Sequence, residues 1–197
     1  MEKYSNIRHI IFDWDGTLVD MKKIITQLHI ETITAFQLPL PSDDSLRKQL
    51  GEKALRVIHN LFPHLSPTTA TEYEAEFLKR YQQHSAQIQL IKDHKGLHTL
   101  QTLSRSYTLG IASNKRRRLL DPELEKTKAT ESIHHIAYVD EHPAKPHPSM
   151  LEALCLKANL QPEQTLMVGD HANDILAAQA LGMHSIGVLT GSYTAVE

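Results

Sequence analysis

Five short apolar runs, most of them separated by helical patterns, constrain the fold of this chain more than any other feature. The runs are "HIIF" (9–12), "YTLGIAS" (107–113), "IAYVD" (136–140), "TLMVGD" (165–170) and "SIGVLT" (185–190). Between them lie "GLHTLQTLSR", "KRRRLLDPELEKT", "PSMLEALCLKANL" and "NDILAAQALG". Strands alternating with helices of this length make βαβ units around a parallel sheet. Gly182 stops a helix just before the last strand. With right-handed crossovers the pattern predicts an α/β fold, a doubly wound three-layer sandwich.

Residues 21 to 89 interrupt the alternation. "MKKIITQLHIETITAF" places Ile24, Ile25, Leu28 and Phe36 near helical spacing. "SLRKQLGEKALRVIHNLF" offers Leu46, Leu50, Leu55 and Ile58, and "TTATEYEAEFLKRYQQH" is rich in helix formers. Pro39, Pro41, Pro63 and Pro67 mark turns. The expected organisation is a core of residues 1–20 and 90–197, with 21–89 as a helical domain inserted after the first strand.

Composition narrows the function classes. Of 197 residues, 41% are hydrophobic and 22% charged, enough apolar material for a real core. The formal net charge of -2 provides no broad basic field for nucleic acid or an anionic membrane. The densest basic run, Lys115-Arg116-Arg117-Arg118, reads as the solvated start of a helix. The single cysteine, Cys155, lies in an apolar-periodic helix and reads as core. The opening "MEKYSNIRHIIF" has no apolar segment of signal-peptide length, and no run approaches the ~20 residues of a membrane span. A cytoplasmic protein is expected.

The stretch "HIIFDWDGTLVD" runs a buried strand straight into Asp13, Asp15 and, further on, Asp20. Burying carboxylates side by side is costly unless something compensates the charge. In an open α/β sheet, ligands bind beyond the carboxyl ends of the strands. The strand ends deliver Asp13 and Asp15, then Ser113 and Asn114, then Lys145 from "AKPHPSML", then Asp170 and Asp174 from "VGDHANDILAA". Three or four carboxylates meeting one lysine leave negative charge that a hard divalent cation neutralises. Mg²⁺ suits such oxygen ligands, since it commonly binds a few carboxylates, water and substrate phosphate.

In order and spacing, "DWDGTLVD", "SNK", "KPHP" and "GDHAND" resemble the four motifs of the haloacid dehalogenase superfamily, most closely its phosphoglycolate-phosphatase-like branch. The resemblance implies a Rossmann-like core and a Mg²⁺-dependent phosphatase. Asp13 would be the nucleophile that forms an aspartyl-phosphate, and Asp15 the acid/base that protonates the leaving alcohol. Mg²⁺ would be held by the Asp13 side chain, the Asp15 backbone carbonyl and Asp170. Asp174 would position a water on the metal or Lys145. Ser113 would bond a phosphoryl oxygen, and Lys145 would pair with both nucleophile and phosphate. Gly16 would permit a tight turn that brings backbone amides to the phosphate, and Thr17 would bond the Asp15 carboxylate. Gly16, Thr17 and Asn114 thus join the substrate-binding set. Dehalogenases of the superfamily lack the second aspartate, because a halide leaves without a proton, so Asp15 favours phosphoryl chemistry.

An insert between the first two motifs is, in this superfamily, a cap. The interval from Asn114 to Lys145 holds one helix and one strand and leaves no room for the larger alternative cap. A lid over the site implies a small phosphorylated metabolite as substrate. "LGEKALRV" resembles the cap segment that faces the site, which makes Lys53 a substrate-binding candidate, against the plainer reading of an exposed helix lysine. The thirteen histidines, His134, His135, His142, His147 and His171 among them, fit no standard metal-ligand spacing. Partners are expected to be a small phosphomonoester, with no nucleic acid or membrane, in a monomer or homodimer. The alternatives are a sugar-phosphate mutase of the same superfamily and a non-catalytic binding module.

Overall fold

All four residues of "HIIF" are buried, and they form strand β1 (His9–Phe12). Burial on both faces is what a central strand of a covered parallel sheet requires. In this computed structural model the described residues are 4–49, 54–84, 90 and 96–191. The other strands are β2 (Thr108–Ser113), β3 (His135–Tyr138), β4 (Thr165–Gly169) and β5 (His184–Gly187). The helices are α1 (Lys22–Ala35), α2 (Asp43–Arg47), α3 (Ala54–Leu61), α4 (Pro67–His84), α5 (Gly96–Leu103), α6 (Arg117–Thr127), α7 (Ser149–Ala158) and α8 (Ala172–Gln179). The chain divides into two compact units, Met1–Asp20 with Ile88–Glu197, and Met21–Gln87.

In the first unit the strands pair in parallel in the order β3-β2-β1-β4-β5. The order runs outward from β1 in both directions, so the crevice at its carboxyl end is the switch point where such sheets bind ligands. Phe12 is level with Ile111 on one side and Val168 on the other, which brings the ends of β1, β2 and β4 together. Met150, Leu151 and Leu154 of α7 and Ala177 and Ala178 of α8 pack with Ile11, Ala112, Ala137 and Met167. Each large apolar side chain buried here contributes about 1.5–3 kcal/mol. Cys155 is buried in the same cluster, with its thiol 3.4 Å from the Thr165 hydroxyl.

The Rossmann-like α/β expectation holds, with small shifts at strand ends. β3 stops at Tyr138, because Glu141 and His142 turn back to bond the Tyr138 carbonyl. β5 ends at Gly187, although the Val188 N–H still reaches the Gly169 carbonyl at 2.9 Å.

In the second unit, described by itself, four helices surround Leu28, Ile33, Val57, Ile58, Tyr73 and Phe77. Ser42 opens α2 by accepting the Ser45 N–H, and Ser66 precedes α4 by accepting the Thr69 N–H. The buried stripe of α3 is Ala54, Val57 and Ile58. Leu55, expected inside, is 41% exposed, because the stripe is offset by one residue from the sequence reading. Leu50 lies outside the described residues. Among the described residues, no helix is long and apolar enough to cross a membrane.

Candidate active site

Asp13 follows β1 directly, and its N–H continues the ladder to the Val168 carbonyl at 2.9 Å. Asp170 follows β4, and Asp174 sits in the first turn of α8. All three are buried, with one oxygen from each within 4.8 Å of the others. Asp174 owes its place to a helix cap. Its Oδ2 accepts the His171 N–H at 3.1 Å, while His171 Nδ1 accepts the Asn173 N–H at 3.1 Å. His171 is therefore a capping residue.

Lys145 closes this cluster. Its Nζ donates to Asp13 Oδ1 and to the Ala112 carbonyl, each at 2.7 Å, and lies 2.6 Å from Asp174 Oδ1. Burial alone would lower its pKa, but Asp13 and Asp174 outweigh that and hold it above the ordinary lysine value. Burial raises the Asp174 pKa, Lys145 opposes the rise and Asp13 adds to it. Three buried carboxylates against one ammonium leave excess negative charge in an all-oxygen donor set, which fits a hard divalent cation.

Asp15 points elsewhere. Its Oδ1 accepts a bond from Lys115 Nζ at 2.7 Å. Loss of water around the carboxyl pushes its pKa up to about 6; Lys115 opposes the rise, while Glu123 and Asp13 add to it. The same ammonium donates to Glu123 Oε1 at 2.9 Å and Oε2 at 2.7 Å, and Glu123 Oε2 also accepts the Trp14 indole N–H at 2.6 Å. Lys115 is thus not part of a solvated basic run, because its side chain is 7% exposed. Only Arg116, Arg117 and Arg118 start the helix at the surface. Sequence reasoning missed Lys115 and Glu123. The available signal was the position of Lys115 directly after the Ser113-Asn114 strand end, one shared by other site residues.

One further expectation is revised. The Thr17 hydroxyl donates to Asp170 Oδ1 at 3.2 Å instead of to Asp15, whose carboxylate is turned to Lys115. Asn114 was expected in the substrate-binding set. Both ends of its side-chain amide hold the Lys145 backbone, accepting its N–H at 2.8 Å and donating to its carbonyl at 3.2 Å. Gly16 does make the tight turn, at φ 86°, and its N–H donates to the Val19 carbonyl at 2.8 Å. A Cβ there would come within 2.6 Å of Asp170 Oδ2, and one at Gly191 would overlap the same carboxylate. Small residues thus let backbone close around Asp170 from two sides.

Ser113 Oγ accepts the Lys115 N–H at 3.1 Å, which leaves its own proton to donate. Lys53 lies outside the described residues. Three of the other singled-out histidines have structural bonds: His134 Nδ1 accepts the Leu109 N–H, His142 meets the Ser149 hydroxyl, and His147 Nδ1 accepts the Ser149 N–H.

A switch-point crevice lined by buried acids and a bridging lysine defines a class of phosphoryl-handling hydrolases. The profile of the haloacid dehalogenase-like hydrolase family matches residues 10–188, and the chain belongs to that family. Within it the chain is a phosphatase. It is similar to a pyrophosphatase PpaX of Anoxybacillus flavithermus, 30% identical over 189 residues, covering 93% of this chain and 84% of that one. A phosphoglycolate phosphatase of Vibrio cholerae is 28% identical over 195 residues, covering 95% and 86%. The crystal structure of a predicted phosphoglycolate phosphatase from Haemophilus somnus superimposes with a TM-score of 0.82 at 25% identity, covering 95% and 87%.

Proposed function

We propose that the protein is a Mg²⁺-dependent, cytoplasmic phosphatase that hydrolyses a small phosphomonoester of the phosphoglycolate type through an aspartyl-phosphate on Asp13. The observation that carries this reading is the buried ammonium of Lys145, set between Asp13 and Asp174 with Asp170 beside them. A nucleophilic carboxylate held at one oxygen by a cation keeps its other oxygen for attack.

Asp13 attacks phosphorus, the bond from phosphorus to the leaving oxygen breaks, and Asp15 supplies the proton that oxygen needs. Asp15 then takes a proton from the water that attacks the aspartyl-phosphate, which frees Asp13 and releases phosphate. A carboxyl with pKa near 6 can serve in both directions near neutrality. Ser113 donates its hydroxyl proton to a phosphoryl oxygen, and Lys145 neutralises charge on the nucleophile and the transferring group. The Asp13 and Asp170 carboxylates and the Asp15 carbonyl would hold Mg²⁺, with Asp174 beside it. When bound, the ion supplies positive charge to the phosphoryl oxygens. The inserted helical unit would serve as the lid that excludes water and large substrates.

Asp13→Asn should lower turnover by at least about 10³-fold while leaving thermal stability unchanged or higher, because it removes one of three crowded carboxylates. Adding Mg²⁺ should raise the melting temperature of the wild type, and Asp170→Asn should abolish that rise. Full turnover by Asp13→Asn, or a melting temperature indifferent to Mg²⁺, would overturn the respective assignment. Phosphate release from phosphoglycolate and pyrophosphate, run beside an assay for sugar-phosphate isomer conversion, separates the phosphatase from the mutase and sets the substrate.

A further inference from the structure

We propose that Lys115, anchored by Glu123 and Trp14, is the positioning residue that fixes the carboxyl of Asp15 for proton transfer to the leaving group. The inference rests on the acid/base reading of Asp15 given above. A side chain on the turn after β1 could adopt several rotamers, and a general acid works only when its proton lies within hydrogen-bond reach of the leaving oxygen. Lys115 removes that freedom by gripping Asp15 Oδ1 at 2.7 Å, leaving Oδ2 for the transfer.

Lysine itself is a flexible anchor, so what holds it decides the precision of the grip. Its backbone N–H is tied to Ser113 Oγ at 3.1 Å, directly after β2. Its ammonium is tied to both oxygens of Glu123, whose side chain is fully buried on α6. Glu123 in turn is fixed by the indole of Trp14, a fully buried residue that stands between Asp13 and Asp15 in the chain. The path from Trp14 through Glu123 and Lys115 returns to Asp15, so the residue next to the acid helps to brace it. A buried, multiply bonded ion-pair network of this kind gains in geometric specificity. Lys115 needs to touch neither the phosphoryl group nor the metal to matter.

The test exploits leaving groups. p-Nitrophenolate departs with little help from a proton, whereas phenolate is far more basic and needs one, and the two phosphate esters are nearly the same shape. The variant K115M/E123Q removes both charges of the pair together and keeps an acceptor for Trp14, so Glu123 is not left behind as a lone buried charge. Its kcat/KM should fall by about 10²-fold on phenyl phosphate and by less than about tenfold on p-nitrophenyl phosphate. K115R, which keeps a cation, should restore part of the loss on phenyl phosphate alone.

Equal losses on both esters in K115M/E123Q and in K115R would overturn the inference, since a merely structural lysine has no reason to discriminate leaving groups. D15N is the reference. If it shows no preference for the better leaving group, the acid reading of Asp15 itself falls. If it does and the Lys115 variants do not, only the positioning role falls.

Discussion

The two units of this chain both bury polar side chains, and they do so in opposite ways. At the carboxyl edge of the sheet the buried polar groups include five charged ones, Asp13, Asp170, Asp174, Glu123 and Lys145. In the helical unit the buried polar centre is neutral. His29 Nδ1 and the Tyr73 hydroxyl share a hydrogen bond of 2.8 Å, with Phe77 stacked on the imidazole at 4.4 Å. Among the described residues of that unit no Asp, Glu, Lys or Arg is fully buried: Arg80, Glu76 and Glu31 are half-buried, and Asp44 and Lys48, 2.8 Å apart, are 56% and 71% exposed. A packing core has no use for buried charge, which costs several kcal/mol of desolvation per ion. A site that must move a phosphoryl group does, because fixed charges act most strongly where water is excluded.

The sharpest way to break this contrast is Lys145→Met. Removing one partner of a buried ion-pair network leaves Asp13 and Asp174 uncompensated, and should cost about 3–5 kcal/mol of stability together with all activity. Urea unfolding at neutral pH measures it. Unchanged stability would mean that the acids tolerate one another without the lysine, and the two regions would differ less than the geometry implies.

A smaller effect separates two buried histidines, one in each unit. Burial lowers the pKa of His9 and of His29 to about 4, with His135 and His134 adding to the shift at His9. The unfolded chain takes up these protons near 6.5 and the folded chain only near 4. Between those values unfolding binds protons, so stability falls as pH falls, by at most about 3 kcal/mol per histidine. His29→Leu should flatten its share of this slope yet cost about 1–3 kcal/mol at pH 7, since the buried Tyr73 hydroxyl loses its partner. His9 has no hydrogen-bond partner for either ring nitrogen among the described residues. His9→Leu should therefore flatten the slope at no cost, or with a gain of about 1 kcal/mol. Losses of equal size in both variants would show that packing, not hydrogen bonding, sets the difference.

The smallest effect belongs to the surface. Asp44→Asn removes the exposed pairs with Arg47 and Lys48, and should leave the melting temperature unchanged within error. A clear drop would mean that peripheral charge matters to the helical unit after all.

Much of the core was legible because hydrophobic period and strand-end chemistry are local. "HIIF" forms β1 at the positions read from the sequence, and the acids after β1 and β4 meet as the topology requires. What the sequence hid are partnerships set by packing. Lys115 sits in a row of four basic residues and looks like its neighbours until Glu123, eight positions on, turns inward to meet it. Thr17 is two residues from Asp15, but its hydroxyl reaches Asp170 across the crevice. Whether Leu55 or Val57 faces inward in α3 depends on a rotation of the helix that its neighbours decide.

The bond from Lys145 to Asp13 spans 132 positions of the chain, and Asp170 lies further still. During translation Asp13 therefore emerges long before Lys145, Asp170 and Asp174, and a chain that stops short of β4 cannot gather these carboxylates around one ammonium.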